Sequence, residues 1–129
     1  MTTPFLSALT GISGILVTPF DDADRIAPAR LAPVIDRALA AGVHILVSNG
    51  NTGEFYSLTI GEALDMVAAT ADLVAGRAPL VGGAGRSVAE ACQLAKASAR
   101  AGCAAVMMHQ PPDPFVSPRG TLDLGRPKR

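Results

Sequence analysis

The sequence holds 129 residues, 49% of them hydrophobic and 17% charged, with 11 basic and 11 acidic side chains that balance to a formal net charge of zero. Those totals fit one soluble domain of helices and buried strands. They exclude a nucleic-acid surface, which needs Lys and Arg in excess on one face, and no apolar run approaches the roughly 20 residues of a membrane helix.

Residues 1–9 lack the charged and apolar regions of a signal peptide, so a cytoplasmic location is expected. Cys92 and Cys103 have neither metal-ligand spacing nor a disulfide framework. They read as buried free thiols of a reducing compartment, and no metal or cofactor is expected. The first strand is predicted over 12–17, stopped by Thr18-Pro19-Phe20 and the acidic turn at 21–24. Pro28 then suits a first helical turn. Leu31, Val34, Ile35, Ala38 and Leu39 form one apolar stripe, and Gly42 ends the helix.

A second strand is predicted over 43–47. It runs into Ser48-Asn49-Gly50-Asn51-Thr52-Gly53-Glu54-Phe55-Tyr56-Ser57-Leu58-Thr59. Gly50 and Gly53 bracket an amide and a hydroxyl, and glycine permits both positive φ and close backbone approach. Such a turn is either a small-anion cradle, with a carboxylate as its natural guest, or a tight strand-to-helix connection without a ligand.

Thr59 and Glu62 have the spacing of a capping box. Leu64, Val67, Ala68, Ala71 and Val74 supply the next buried face, and Gly76 ends that helix. A short third strand is predicted over 79–81, leading into a glycine-rich loop at 82–86. Ser87 and Glu90 form a second capping box ahead of a helix whose inner stripe is Val88, Ala91, Cys92, Ala95 and Ala99. Gly102 stops it, and 103–108 is the fourth strand, with Met107 and Met108 in the core. The loop at 82–87 resembles a phosphate loop but lacks its Gly-Lys-Ser/Thr ending, so nucleotide binding is the weaker reading.

Near-continuous apolar strands alternating with helices point to a parallel α/β sheet covered on both faces. Either a doubly wound sheet or part of a (β/α)8 barrel fits. Both place ligands at the C-terminal ends of the strands. Those ends carry Thr18-Pro19, the 49–54 stretch, 82–86, and His109 to Asp113, so the polar chemistry falls on one rim. His109 is a candidate for that rim or a cap of its strand. Tyr56 reads as packing, and Glu54 as a residue that orients the loop. After Pro111-Pro112-Asp113-Pro114 the pattern stops, because Gly125 and Pro127 break helices.

Gly50-Asn51-Thr52-Gly53-Glu54, with Leu58-Thr59 after it and Thr18-Pro19-Phe20 before it, resembles the dihydrodipicolinate synthase / N-acetylneuraminate lyase family. The likeness spans about 11–120. It implies a partial (β/α)8 TIM barrel, roughly the first four βα units, with 121–129 as an irregular basic tail. It also implies Schiff-base chemistry between a barrel lysine and pyruvate or another 2-keto acid. Carried over, Asn51 and Thr52 hold the substrate carboxylate, while Thr18, Gly50, Gly53, Glu54 and His109 line the pocket.

The family pattern has Thr or Ser where Asn51 stands, and a tyrosine near Pro111-Pro112-Asp113, leaving Asp113 as a possible acid or base. A sugar-acid dehydratase or aldolase fits these departures better than dihydrodipicolinate synthesis. The only lysines are Lys96 and Lys128, and neither is predicted at a strand end. The expectation is therefore a truncated lyase that keeps its carboxylate loop but lacks the imine-forming lysine. The alternative is an inert half-barrel acting as a pseudoenzyme or a self-associating interaction fragment. Expected partners are a small keto acid and, for the family, further copies of the chain; neither nucleic acid nor membrane is expected.

Overall fold

The computed structural model describes residues 4–110. Four parallel strands, β1 (Ser13–Ile15), β2 (Ile45–Ser48), β3 (Leu80–Ala84) and β4 (Ala105–Met108), lie side by side in sequence order. Registers run Gly14 opposite Leu46, Val47 opposite Val81, and Gly83 opposite Met107. Helices α2 (Ala32–Ala40), α3 (Ile60–Val74) and α4 (Val88–Arg100) make the three crossovers, and a short α1 (Pro4–Ala8) precedes β1.

Alternation along the strands divides the core in two. Leu46 and Leu80 pack with Leu31, Ile35, Met66, Val74 and Leu94 on the helix side. Ile45, Val47 and Val81 face the other way, against Phe5 and Ala8 of α1, with Ala105 and Met107. Every residue of β2 and β3 is buried, as expected for a sheet covered on both faces. Edge strands β1 and β4 are only partly covered.

The helix boundaries follow the predicted signals. Thr59 and Ser87 each accept from the backbone N–H three residues on, and Glu62 and Glu90 return the bond. Gly42, Gly76 and Gly102 take φ of +84°, +71° and +80° just past the helix ends, where a Cβ would be strained. The segment from Pro28 starts as a 3-10 turn (Pro28–Leu31) before α2 begins. Pro33 explains this, because it has no N–H to close an α-helical bond onto residue 29.

Several expectations need correction. The buried face of α3 is Ala63, Met66, Val67, Thr70 and Val74, so Ala68 is exposed. Thr70 can sit inside because its hydroxyl bonds Met66 C=O at 2.6 Å and lies 3.3 Å from the Ser48 hydroxyl. In α4 the inner residues are Ala91, Leu94 and Ser98, leaving Val88, Cys92 and Ala99 in solvent. Its inner face is thus rotated from the alanine-rich stripe towards Leu94, the larger apolar side chain. Cys92 is an exposed thiol and Cys103 a half-buried one, pushed up in pKa by burial. Met108 is 63% exposed, because β4 is an edge among the described residues.

Candidate functional site

β2 delivers its chain to the rim through one sharp bend. Asn49 has φ +57°, a region that Asn tolerates better than most residues. The residue is buried, and its Nδ2 donates to Ala63 C=O at 2.8 Å. Residues Asn51–Gly53 then form a 3-10 turn, Glu54 reverses the backbone at φ +56°, and Phe55–Ser57 form a second turn.

The two bracketing glycines do not adopt positive φ. They are required by space instead. A Cβ on Gly50 would stand 2.4 Å from Ile15 Cγ2, and one on Gly53 2.9 Å from the Leu16 carbonyl. The loop therefore lies directly against β1 and the segment after it. Thr18 locks that contact: its buried hydroxyl donates to Gly53 C=O at 2.6 Å.

The result is a turn in which Asn51, Thr52 and Glu54 are exposed while Gly50, Gly53 and Phe55 are buried. The side chains of Asn51, Thr52 and Glu54 have no hydrogen-bond partner among the described residues. Glu54 shapes the loop through its left-handed backbone conformation. Asn51, Glu54, Tyr56 and Ser57 line an open cleft of about 400 Å³. A larger hollow of about 500 Å³ lies at the opposite ends of β3 and β4, around Arg77, Pro79 and Gly102. It collects little beyond apolar side chains and backbone, far from the rim chemistry, and we assign it no function.

The rim is braced from the later strands. His109, just past β4, donates Nε2–H to Asn49 C=O at 2.7 Å, since a carbonyl can only accept. Its ring stacks on Phe55 at 4.5 Å between centroids. Tyr56 sits edge-on to both rings and donates its hydroxyl to Gln110 C=O at 2.7 Å. His109 therefore supports the loop from behind, whereas Tyr56 has a binding partner as well as a packing surface. The Gly82–Ala84 segment proves to be strand, not loop. Gly83 is small because a Cβ there would fall 2.0 Å from Asn49 O. Gly82 answers instead to Ser98 on α4, 2.1 Å from where its Cβ would stand, and Gly85 to His109, so packing accounts for the glycines without a phosphate ligand.

Thr18, Gly50, Asn51, Thr52, Gly53, Glu54 and His109 are thus gathered at one rim, and Asp113 lies outside the described residues. Sequence reasoning missed Asn49 as the buried anchor and Phe55 as the plug. It also missed Arg86, whose guanidinium reaches the carbonyls of Phe55 and Leu58. Asn followed by Gly at a strand end was a usable sign of the bend; nothing local marks Arg86. Among the described residues, no group of three or more His, Cys, Asp or Glu could hold a metal, and no helix is long and apolar enough to cross a membrane.

Residues 8–118 match the model of the Dihydrodipicolinate synthetase family. Among curated proteins, the 4-hydroxy-tetrahydrodipicolinate synthase of Natronomonas pharaonis is 32% identical over 111 residues, 86% of this chain and 38% of the relative. That of Escherichia coli K12 is 38% identical over 86 residues, 66% of this chain and 30% of the relative. The dihydrodipicolinate synthase of Bacillus clausii superposes with a TM-score of 0.82 at 39% identity, covering 88% of this chain and 39% of that one. The Escherichia coli K12 prophage protein YagE, solved in complex with pyruvate, gives 0.77 at 29% identity, covering 83% and 36%. The chain spans 30–38% of the length of these curated relatives.

Proposed function

The chain belongs to the Dihydrodipicolinate synthetase family, and from that premise we propose that its rim turn holds the carboxylate of pyruvate or a related 2-oxo acid for Schiff-base chemistry. Asn51 and Thr52 are the gripping pair; Gly50, Gly53 and Thr18 fix where the pair sits. One observation carries the reading: two exposed polar side chains, without a hydrogen-bond partner among the described residues, stand between glycines that the packing requires. The pyruvate-bound relative supports the ligand class. A substrate held by its carboxylate presents its keto carbon in one orientation, which is what an attacking amine needs.

Among the described residues the rim holds the grip and no lysine; Lys128 lies outside them. Lys96, the one lysine among the described residues, is exposed on α4, two crossovers away in sequence from the turn. Asn51 can donate to a carboxylate but cannot relay a proton as a hydroxyl can, which favours a sugar-acid dehydratase or aldolase over dihydrodipicolinate synthesis. The expectation is binding without turnover.

Calorimetric or NMR titration with pyruvate and with methyl pyruvate tests this. Pyruvate binding with loss of affinity for the uncharged ester supports the reading; equal affinity for both removes the carboxylate from it. Borohydride reduction with pyruvate is expected to leave Lys96 and Lys128 unmodified, and a reduced adduct on either contradicts the missing amine.

A second reading has its own observation. Ile15 and Val17 are 43% and 45% exposed at the β1 edge, and Met108 is 63% exposed at the β4 edge. Edges left unpaired among the described residues, with apolar side chains beside them, are templates for further strands. Self-association of the chain follows from them, with or without keto-acid binding.

A further inference from the structure

We propose that Arg86 is a positioning residue for the carboxylate turn, an inference that rests on the keto-acid reading above. Arg86 follows Gly85 at the exit of β3 and adopts φ +70°, which a non-glycine residue rarely takes. That conformation accompanies a side chain directed back across the rim. Its Nη2 donates to Phe55 C=O at 2.6 Å and also to Leu58 C=O. The guanidinium carbon lies 4.9 Å from the centroid of the Phe55 ring, whose plane also stacks on His109. Only 15% of the Arg86 side chain is exposed.

The charge is answered from both neighbouring helices. Glu90, in the first turn of α4, lies 3.9 Å from Nη1. Glu62, in the first turn of α3, is near enough for Arg86 to help hold its carboxyl below the usual range, after the larger effect of the Thr59 N–H. Both carboxylates are themselves held by their capping boxes. A planar guanidinium can serve several acceptors at fixed angles, which an ammonium cannot reproduce.

The consequence is mechanical. Asn51 and Thr52 sit on a turn tied at its start by Asn49 and His109 and in its middle by Thr18 to Gly53. Glu54 itself has φ +56°, and past it comes a single 3-10 turn, which alone is a weak element. Arg86 clamps two carbonyls of that segment, fixing the exit of the turn from the side of β3. Gly85 makes the clamp possible, since a Cβ there would come 2.9 Å from His109 Cβ and 3.3 Å from Phe55 Cε1. Arg86 does not need to touch the substrate. It determines whether the gripping pair is held in one place.

The test compares the full chain with Arg86→Met and Arg86→Lys. Three quantities are read: amide exchange residue by residue, the urea midpoint, and the dissociation constant for pyruvate. In Arg86→Met, the amides of Glu54 and Ser57 are expected to exchange at least about tenfold faster, as loss of a charge-assisted clamp implies. The amide of Ala101, at the C-terminal end of α4, is expected to keep its rate within about twofold, and pyruvate affinity to fall about tenfold. Arg86→Lys should recover part of the affinity.

Unchanged exchange at Glu54 and Ser57 overturns the proposal. So does faster exchange with unaltered pyruvate affinity, or acceleration spread evenly over the chain. If the unsubstituted protein does not bind pyruvate, the keto-acid reading fails instead, and the exchange comparison still decides whether Arg86 orders the turn.

Discussion

Thr18→Val isolates the bond that seats the carboxylate turn. Valine has nearly the shape of threonine, so the packing of a residue that is 7% exposed is retained while the 2.6 Å bond to Gly53 C=O is lost. Gly53 is buried, and Leu16 O leaves no room beside its Cα for rearrangement. Its carbonyl is then desolvated without this donor, a loss of about 1–3 kcal/mol. A value near 2 kcal/mol is roughly a 30-fold change in the folding equilibrium. Thr18→Ser keeps the donor and loses one methyl group, about 0.8 kcal/mol by apolar burial. Urea unfolding followed by circular dichroism measures both. With a slope of about 1–3 kcal/mol per M, the Thr18→Val midpoint falls by roughly 1 M, well beyond that of Thr18→Ser. A Thr18→Val midpoint at the wild-type value, or equal losses in the two variants, refutes the seating role of the hydroxyl.

Two further outcomes follow from the same geometry. Gly83→Ala puts a Cβ 2.0 Å from Asn49 O, which is backbone, so β2 and β3 must separate; a loss of about 3 kcal/mol or more is expected from such overpacking in thermal melts, and a wild-type melt would deny the contact. Asp21, Glu62 and Glu90 are held below the usual carboxylate range, chiefly by the Arg25 N–H, the Thr59 N–H and the Ser87 hydroxyl respectively. Because the unfolded chain then binds more protons, their stabilisation is complete above the ordinary carboxylate pKa and is lost as pH falls through the lowered values. Urea midpoints taken from neutral to acid pH should decline accordingly, and less steeply in Glu62→Gln/Glu90→Gln; a rise on acidification would contradict the sign.

The sequence disclosed the elements whose causes are local. Capping boxes at Thr59 and Ser87, and glycines at 42, 76 and 102, mark helix ends through bonds and dihedrals confined to a few residues. Fold class followed from continuous apolar strands alternating with helices. Helix rotation was less legible, because alanine contributes little burial and cannot alone set a face. Leu94 and Met66 do, and Thr70 and Ser98 join them as buried polar residues of the inner faces. At the rim, the motif identified Asn51 and Thr52, yet the reason for its glycines was misplaced. Gly50 and Gly53 answer to Ile15 and Leu16, more than 30 positions away along the chain. Gly82, Gly83 and Gly85 likewise answer to Ser98, Asn49 and His109, so a run of glycines that looked like a phosphate loop is the packed end of a strand. Arg86 bonds carbonyls 28 and 31 residues distant. Such pairings exist only once the parallel sheet has brought the strand ends together.

Backbone amide shifts recorded while pyruvate is added to isotopically labelled protein test the central claim most directly. The account predicts that the largest saturable changes fall on Asn51, Thr52 and their neighbours within the 50–54 turn. Saturable changes centred instead on the opposite end of the sheet, around Arg77 and Gly102, or no saturable change at all, would contradict it.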